Sequence, residues 1–89
     1  MYAIVDIETT GGHASANGIT EIAIVLHNGS EVTHQYQKLI NPGTSIPVFI
    51  TALTGISNEM VAASPSFDKV AAEIFSLLQD KILYEHRNK

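Results

Sequence analysis

Apolar positions along the chain form three short runs and then two stretches with helical spacing. Tyr2 to Glu8 (YAIVDIE) is apolar but for Asp6 and Glu8 and rich in β-branched residues. Such a run predicts a central strand covered on both faces. Ile19 to His27 (ITEIAIVLH) predicts a second strand, and Glu31 to Ile40 (EVTHQYQKLI) a third. Asn28-Gly29 between them is a strong hairpin signal. In the third strand Val32, Tyr36 and Ile40 share one parity, and Thr33, Gln35 and Gln37 the other, which predicts a half-exposed edge strand. Thr10 to Gly18 (TGGHASANG) has the composition of a loop.

Beyond Ile40 the period changes. Asn41 to Pro47 (NPGTSIP) ends the third strand. A short helix is expected from about Pro47 to Gly55, with proline in its first turn and glycine as its C-cap. Ser57 can cap one further turn. The longest helical pattern follows Ser64 and Ser66: Phe67, Val70, Ala71, Ile74, Leu77, Leu78 and Ile82 recur on one face. The tail Ile82 to Glu85 has the composition of a fourth strand. The order is β-β-β-α-α with a further strand beginning, an α/β or α+β arrangement in which an antiparallel meander precedes helices.

With 89 residues the chain is long enough for one small domain. Hydrophobic residues make up 45% and charged residues 16%, a balance that suggests additional apolar surface buried against other protein. The net charge of −4 gives no basic field for nucleic acid, so a nucleic-acid site would need metal ions to supply positive charge. The absence of cysteine excludes disulfides and thiolate zinc sites. No signal peptide or membrane span is evident at the N-terminus or elsewhere, and a cytoplasmic setting is expected.

The chemistry of interest lies in Asp6 and Glu8. Side chains alternate along a strand, so both carboxylates share a face, with Cα atoms about 6.6 Å apart. Two converging carboxylates repel unless a cation lies between them. Hard oxygen donors favour Mg²⁺ or Mn²⁺ over Zn²⁺. A pair of such ions can clamp a phosphodiester, activating water on one side and stabilising the leaving oxygen on the other. An Asp-x-Glu pair alone is more often a solvated strand end. The Thr9-Thr10-Gly11 that follows adds weight, because small hydroxyls and a flexible backbone suit close approach of a phosphate or sugar. His13, His27 and His34 are expected on the surface, and Tyr2, Tyr36 and Phe49 in packing.

Taken together, "IVDIETTG", "ITEIAIV" and "INPGTSIPVFITALTGISNEMVAASPSF" resemble the DEDD-type 3′–5′ exonucleases, the family of the proofreading epsilon subunit of bacterial DNA polymerase III, on a ribonuclease H-like fold. The resemblance spans about Tyr2 to Ile82. It implies that Asp6 and Glu8 are catalytic metal ligands, and that Ile7, Thr9 and Thr10 lie around the 3′-terminal nucleotide. It implies that Leu53, Thr54, Gly55 and Ile56 pack beside the terminal base. Glu21 takes a supporting role. Thr54 stands where the family often has histidine. The implied reaction is two-metal-ion hydrolysis (Mg²⁺ or Mn²⁺) at the 3′ end of single-stranded DNA, in partnership with a DNA polymerase.

The resemblance weakens at the tail. "KILYEH" resembles the start of the family's next strand, but the pattern breaks after His86, and the later aspartates and general base of the family have no counterpart. Residues 1–89 are therefore expected to form a partial exonuclease domain with an atypical tail at 83–89, inactive in isolation. The alternative is a non-catalytic binding or assembly module, or a remnant, that forms homo-oligomers, either through strand exchange at an open edge left at the first strand or through the tail from Ile82 on.

Overall fold

A computed structural model of the chain describes residues 1–11 and 18–86. Most of the expected Gly-rich loop, His13 included, and the last three residues of the tail lie outside the described residues, as does the side chain of His86. The elements are β1 (Tyr2–Thr9), β2 (Ile19–His27), β3 (Val32–Leu39), α1 (Val48–Thr54), α2 (Asn58–Val61), α3 (Phe67–Leu78) and β4 (Ile82–His86). The four strands form one mixed sheet in the order β3-β2-β1-β4. β1 and β2 pair antiparallel, as do β2 and β3, whereas β4 runs parallel to β1.

The meander follows from its turn. Asn28 Oδ1 accepts hydrogen bonds from Ser30 N (2.8 Å) and Glu31 N (3.0 Å), and Gly29 takes φ +100°. Asparagine thus supplies an acceptor that replaces backbone partners, and glycine the conformation other residues avoid. His27 Nδ1 accepts from Gly29 N at 2.9 Å, which uses this histidine in the turn.

One face of the sheet packs on α3. Ala3, Ile22, Ile24, Leu26 and Ile40 join Val70 and Ile74 of the helix in the main core, with Val5, Ile7, Leu77 and Leu78 against it. Burying Val70 and Ile74 on one stripe follows from their i, i+4 spacing. Tyr36 Oη donates to Glu73 Oε1 at 3.0 Å and ties β3 to α3. A second, smaller cluster joins Ile46, Ile50, Ile56 and Val61 of the α1–α2 segment, with Leu39 of β3 packed against it. Leu39 faces Glu21 across the β2–β3 ladder, and Glu21 faces Glu8 across the β1–β2 ladder. Partners opposite one another share a face. The α1–α2 segment therefore docks on the face opposite α3, at the flank of the row that carries Glu8 and Glu21.

Three expectations are corrected. β1 is central but not covered on both faces: Ile4, on the face away from α3, is 38% exposed. A nearly continuous apolar run reports strand position and not which face is shielded. The open edge does not fall at β1, because β4 pairs with it from Tyr2↔Ile82 to Asp6↔His86, so among the described residues the edges are β3 and β4. Ile82 does not extend the helical stripe. α3 stops at Leu78, Gln79 is extended and Asp80 adopts φ +63°, turning the chain into β4. Aspartate visits the left-handed region more readily than most residues, so the periodicity of the apolar positions did not reveal this break.

Candidate active site

The alternation of β1 divides its side chains between two faces. Ala3, Val5 and Ile7 turn to α3; Tyr2, Ile4, Asp6 and Glu8 turn to the other face. Asp6 and Glu8 are half-buried, and Oδ1 of Asp6 is fully shielded from solvent. Asp6 stands opposite Ala23, whose methyl leaves room beside it, and Glu8 stands opposite Glu21. Glu21 is half-buried and accepts a hydrogen bond from Gln37 Nε2 at 2.6 Å. Three carboxylates thus lie on one face within two adjacent cross-strand rows.

A β-bulge interrupts the β1–β2 ladder directly beyond Glu8. Glu8 pairs with Glu21 but Thr9 pairs with Ile19, so Thr20 is the extra residue. Thr20 is buried, and its carbonyl accepts from Ile40 N at 2.8 Å. Bulges bend a strand and re-aim its end. Here the bend falls where the carboxylate pair meets the loop.

The Thr9-Thr10-Gly11 segment has a structural task of its own. Thr10 N donates to Gly18 O (2.9 Å), and Thr10 Oγ1 accepts from Gly18 N (3.1 Å), pinning the two ends of the loop together. Thr9 Oγ1 accepts from Gly11 N at 3.1 Å. Gly11 has φ +79°, and a Cβ there would lie 2.6 Å from Ile50 Cδ1. Glycine lets the chain pass against α1, and α1 is held three residues past Glu8.

The residues expected around a nucleotide separate accordingly. Ile7 packs toward the core on the face away from Asp6 and Glu8, so only its backbone faces the carboxylate side of the loop end. Thr10 is buried and Thr9 half-buried. Thr54 Oγ1 donates to Ile50 O (2.9 Å) and accepts from Ile56 N (3.1 Å), closing the end of α1. Gly55 is the left-handed C-cap of α1, and Ile56 is buried in the second cluster. Leu53 alone of this group presents a free side chain, 62% exposed, alongside Val48 and Phe49, which are also exposed. Phe49 is therefore surface and not packing. Gln37 was not legible as a site neighbour; only the β2–β3 register brings it to Glu21.

Asp6 and Glu8 offer hard oxygen donors of the type that Mg²⁺ or Mn²⁺ takes. Among the described residues no group of three or more histidine, aspartate or glutamate side chains is arranged to hold a metal ion. By donor chemistry these two carboxylates suit such an ion, and by themselves they make no group of three.

A family model described as Exonuclease, of the RNase T type, matches residues 3–89. The chain belongs to the 3′–5′ exonuclease family. It is 41% identical over 86 residues to the 3′-5′ exonuclease DinG of Bacillus subtilis, covering 96% of this chain and 9% of that protein. It is 35% identical over 85 residues to the protein of the same name from Staphylococcus haemolyticus. The chain therefore spans about a tenth of the length of these curated relatives. Exonuclease X in complex with 5′ overhanging duplex DNA superposes with a TM-score of 0.74 and 26% identity, over 96% of this chain and 55% of that one. The nuclease domain of 3′hExo, a DEDDh family member bound to rAMP, shares the fold at a TM-score of 0.70 and 19% identity, over 98% of this chain and 52% of that one. The ribonuclease H-like exonuclease fold is shown. No helix among the described residues is long and apolar enough to cross a membrane.

Proposed function

We propose that this chain supplies the first metal-binding half of a cytoplasmic 3′–5′ exonuclease that trims single-stranded DNA from its 3′ end, and that it does not cleave DNA by itself. The observation that carries the reading is the shared face of Asp6 and Glu8 at the bulged end of β1, flanked by α1. A bound divalent ion would polarise the scissile phosphate and activate water there. Asp6 and Glu8 would hold it. The pinned Thr10–Gly18 loop end and Leu53 of α1 would border the space for the terminal nucleotide. DinG exonucleases are among the relatives matched over most of the chain, so the reading commits to the nuclease reaction and to no polymerase partner.

The test is a graft. This chain replaces the matching segment of Bacillus subtilis DinG, and the chimera is given 5′-labelled single-stranded DNA or RNA with Mn²⁺. Shortening of the DNA from its 3′ end, lost in Asp6→Asn and Glu8→Gln, is expected; a folded chimera without activity refutes the reading. The isolated chain should leave the same DNA intact. Digestion by the purified chain that Asp6→Asn abolishes would refute the claim of inactivity.

A second reading has its own observation. Ile82, Leu83 and Tyr84 of edge strand β4 are each more than half exposed. Long apolar edges invite pairing with another strand. We infer that the isolated chain forms homo-oligomers through β4, which light scattering tests directly: Leu83→Lys should return the protein to monomer. A monomeric wild type at high concentration would end this reading.

A further inference from the structure

Glu21 is placed where it could interfere with the carboxylate pair. It stands directly opposite Glu8, on the same face as Asp6. Cβ atoms of opposed residues lie about 4.5–5.5 Å apart, so flexible glutamates on them can reach one cation. Gln37 is a hydrogen-bond donor to the Glu21 carboxylate. Gln37 belongs to the next row, where Asp6, Ala23 and Gln37 are successive partners across β1, β2 and β3. From β3 its Nε2 donates to Glu21 Oε2 at 2.6 Å. Ala23, lying between, has no side chain long enough to obstruct this diagonal reach. Leu39, the β3 partner of Glu21, is packed beneath the α1–α2 segment and closes the other flank.

We propose that Gln37 is a positioning residue that latches the Glu21 carboxylate toward β3 and so keeps it out of the coordination sphere of a cation held by Asp6 and Glu8. The inference rests on the metal-binding reading of Asp6 and Glu8 above. A neutral amide suits this task. Lysine or arginine at the same place would hold Glu21 as well but would cancel its charge, whereas glutamine fixes the carboxylate and leaves its negative potential beside the cation. Glu21 then attracts the ion without binding it.

The test uses the 89-residue chain and two readouts. Side-chain scalar couplings of Glu21 in the metal-free protein should report one χ1 rotamer in wild type and averaging in Gln37→Leu. Mn²⁺ binding, followed by electron paramagnetic resonance and water proton relaxation, should tighten about tenfold in Gln37→Leu as the released carboxylate joins the ion, with one fewer water on the metal. Gln37→Leu combined with Glu21→Gln should lose both the tightening and the change in water count. An averaged Glu21 rotamer in wild type overturns the latch. So does Mn²⁺ binding that Asp6→Asn weakens but Gln37→Leu leaves unchanged. Mn²⁺ binding that is absent, or insensitive to Asp6→Asn, instead refutes the metal reading and with it the purpose assigned to Gln37.

Discussion

Gly11 and Ile50 meet so closely that a Cβ on the glycine would sit 2.6 Å from Ile50 Cδ1. This contact couples the carboxylate strand to α1, since Gly11 follows β1 and Ile50 is the buried residue of that helix. Gly11→Ala meets two costs, a left-handed φ of +79° and the Ile50 side chain. Gly55→Ala meets only the first, because nothing lies within 4 Å of its added Cβ at the same φ. Gly55→Ala should therefore cost about 1–2 kcal/mol and Gly11→Ala clearly more. Urea unfolding of the two variants checks the order, and equal midpoints would show that Ile50 yields freely.

Ile74 sits at the centre of the α3 contact with the sheet and is 4% exposed. Its truncation to alanine should cost about 2–5 kcal/mol. A domain of this size has a small margin, so Ile74→Ala should be largely unfolded at 37 °C by far-ultraviolet circular dichroism. Phe75→Ala, the next residue on the exposed face at 66% exposure, should stay within about 0.5 kcal/mol of wild type.

Much of this arrangement is legible in the residues, and the remainder is lost for definable reasons. The period of two places Asp6 and Glu8 on one face without any structure, and Asn28-Gly29 announces the hairpin. Ser57 announces the cap of α2, where its Oγ accepts from Met60 N at 3.3 Å. Local signals stop at pairing. That Glu21 opposes Glu8 depends on the β1–β2 register, which runs unbroken from Tyr2↔His27 to Glu8↔Glu21 and which no residue type marks. That Gln37 reaches Glu21 depends on a second register, between β2 and β3. The hydroxyls of Thr9, Thr10 and Thr54 were expected near a nucleotide. The structure shows them engaged in backbone hydrogen bonds, because threonine serves both tasks and its identity alone does not choose between them.

Tyr36 gives the fold a pH dependence at the alkaline end. Burial chiefly, then the hydrogen bond to Glu73 and its negative charge, push the phenol above its ordinary value of 10.0. The neutral phenol is thus favoured in the folded state. Its stabilisation is complete below pH 10 and declines as the pH rises through the folded-state value. Tyr36→Phe should cost about 1 kcal/mol at neutral pH, where the bond to Glu73 exists. It should also flatten the loss of stability above pH 10. Urea midpoints from pH 8 to 11 provide the check, and parallel curves for the two proteins would assign the alkaline loss elsewhere.

Glu8 and Glu21 set the stability of the site against its use. Like charges directly opposite on neighbouring strands destabilise a sheet by a few tenths of a kcal/mol, and no cation separates them in the metal-free protein. Glu8→Gln removes that repulsion while keeping the side-chain shape. The metal-free variant should gain about 0.5 kcal/mol, a rise in melting temperature of about 2–4 °C. Added Mn²⁺ should then raise the melting temperature of wild type but not that of Glu8→Gln, because a ligand stabilises only the form that binds it. With millimolar Mn²⁺ the order of the two proteins should narrow or invert. Calorimetry with and without the ion decides the matter. A variant less stable than wild type in the absence of metal would mean that Glu8 serves the fold itself and not a site that the fold strains to keep.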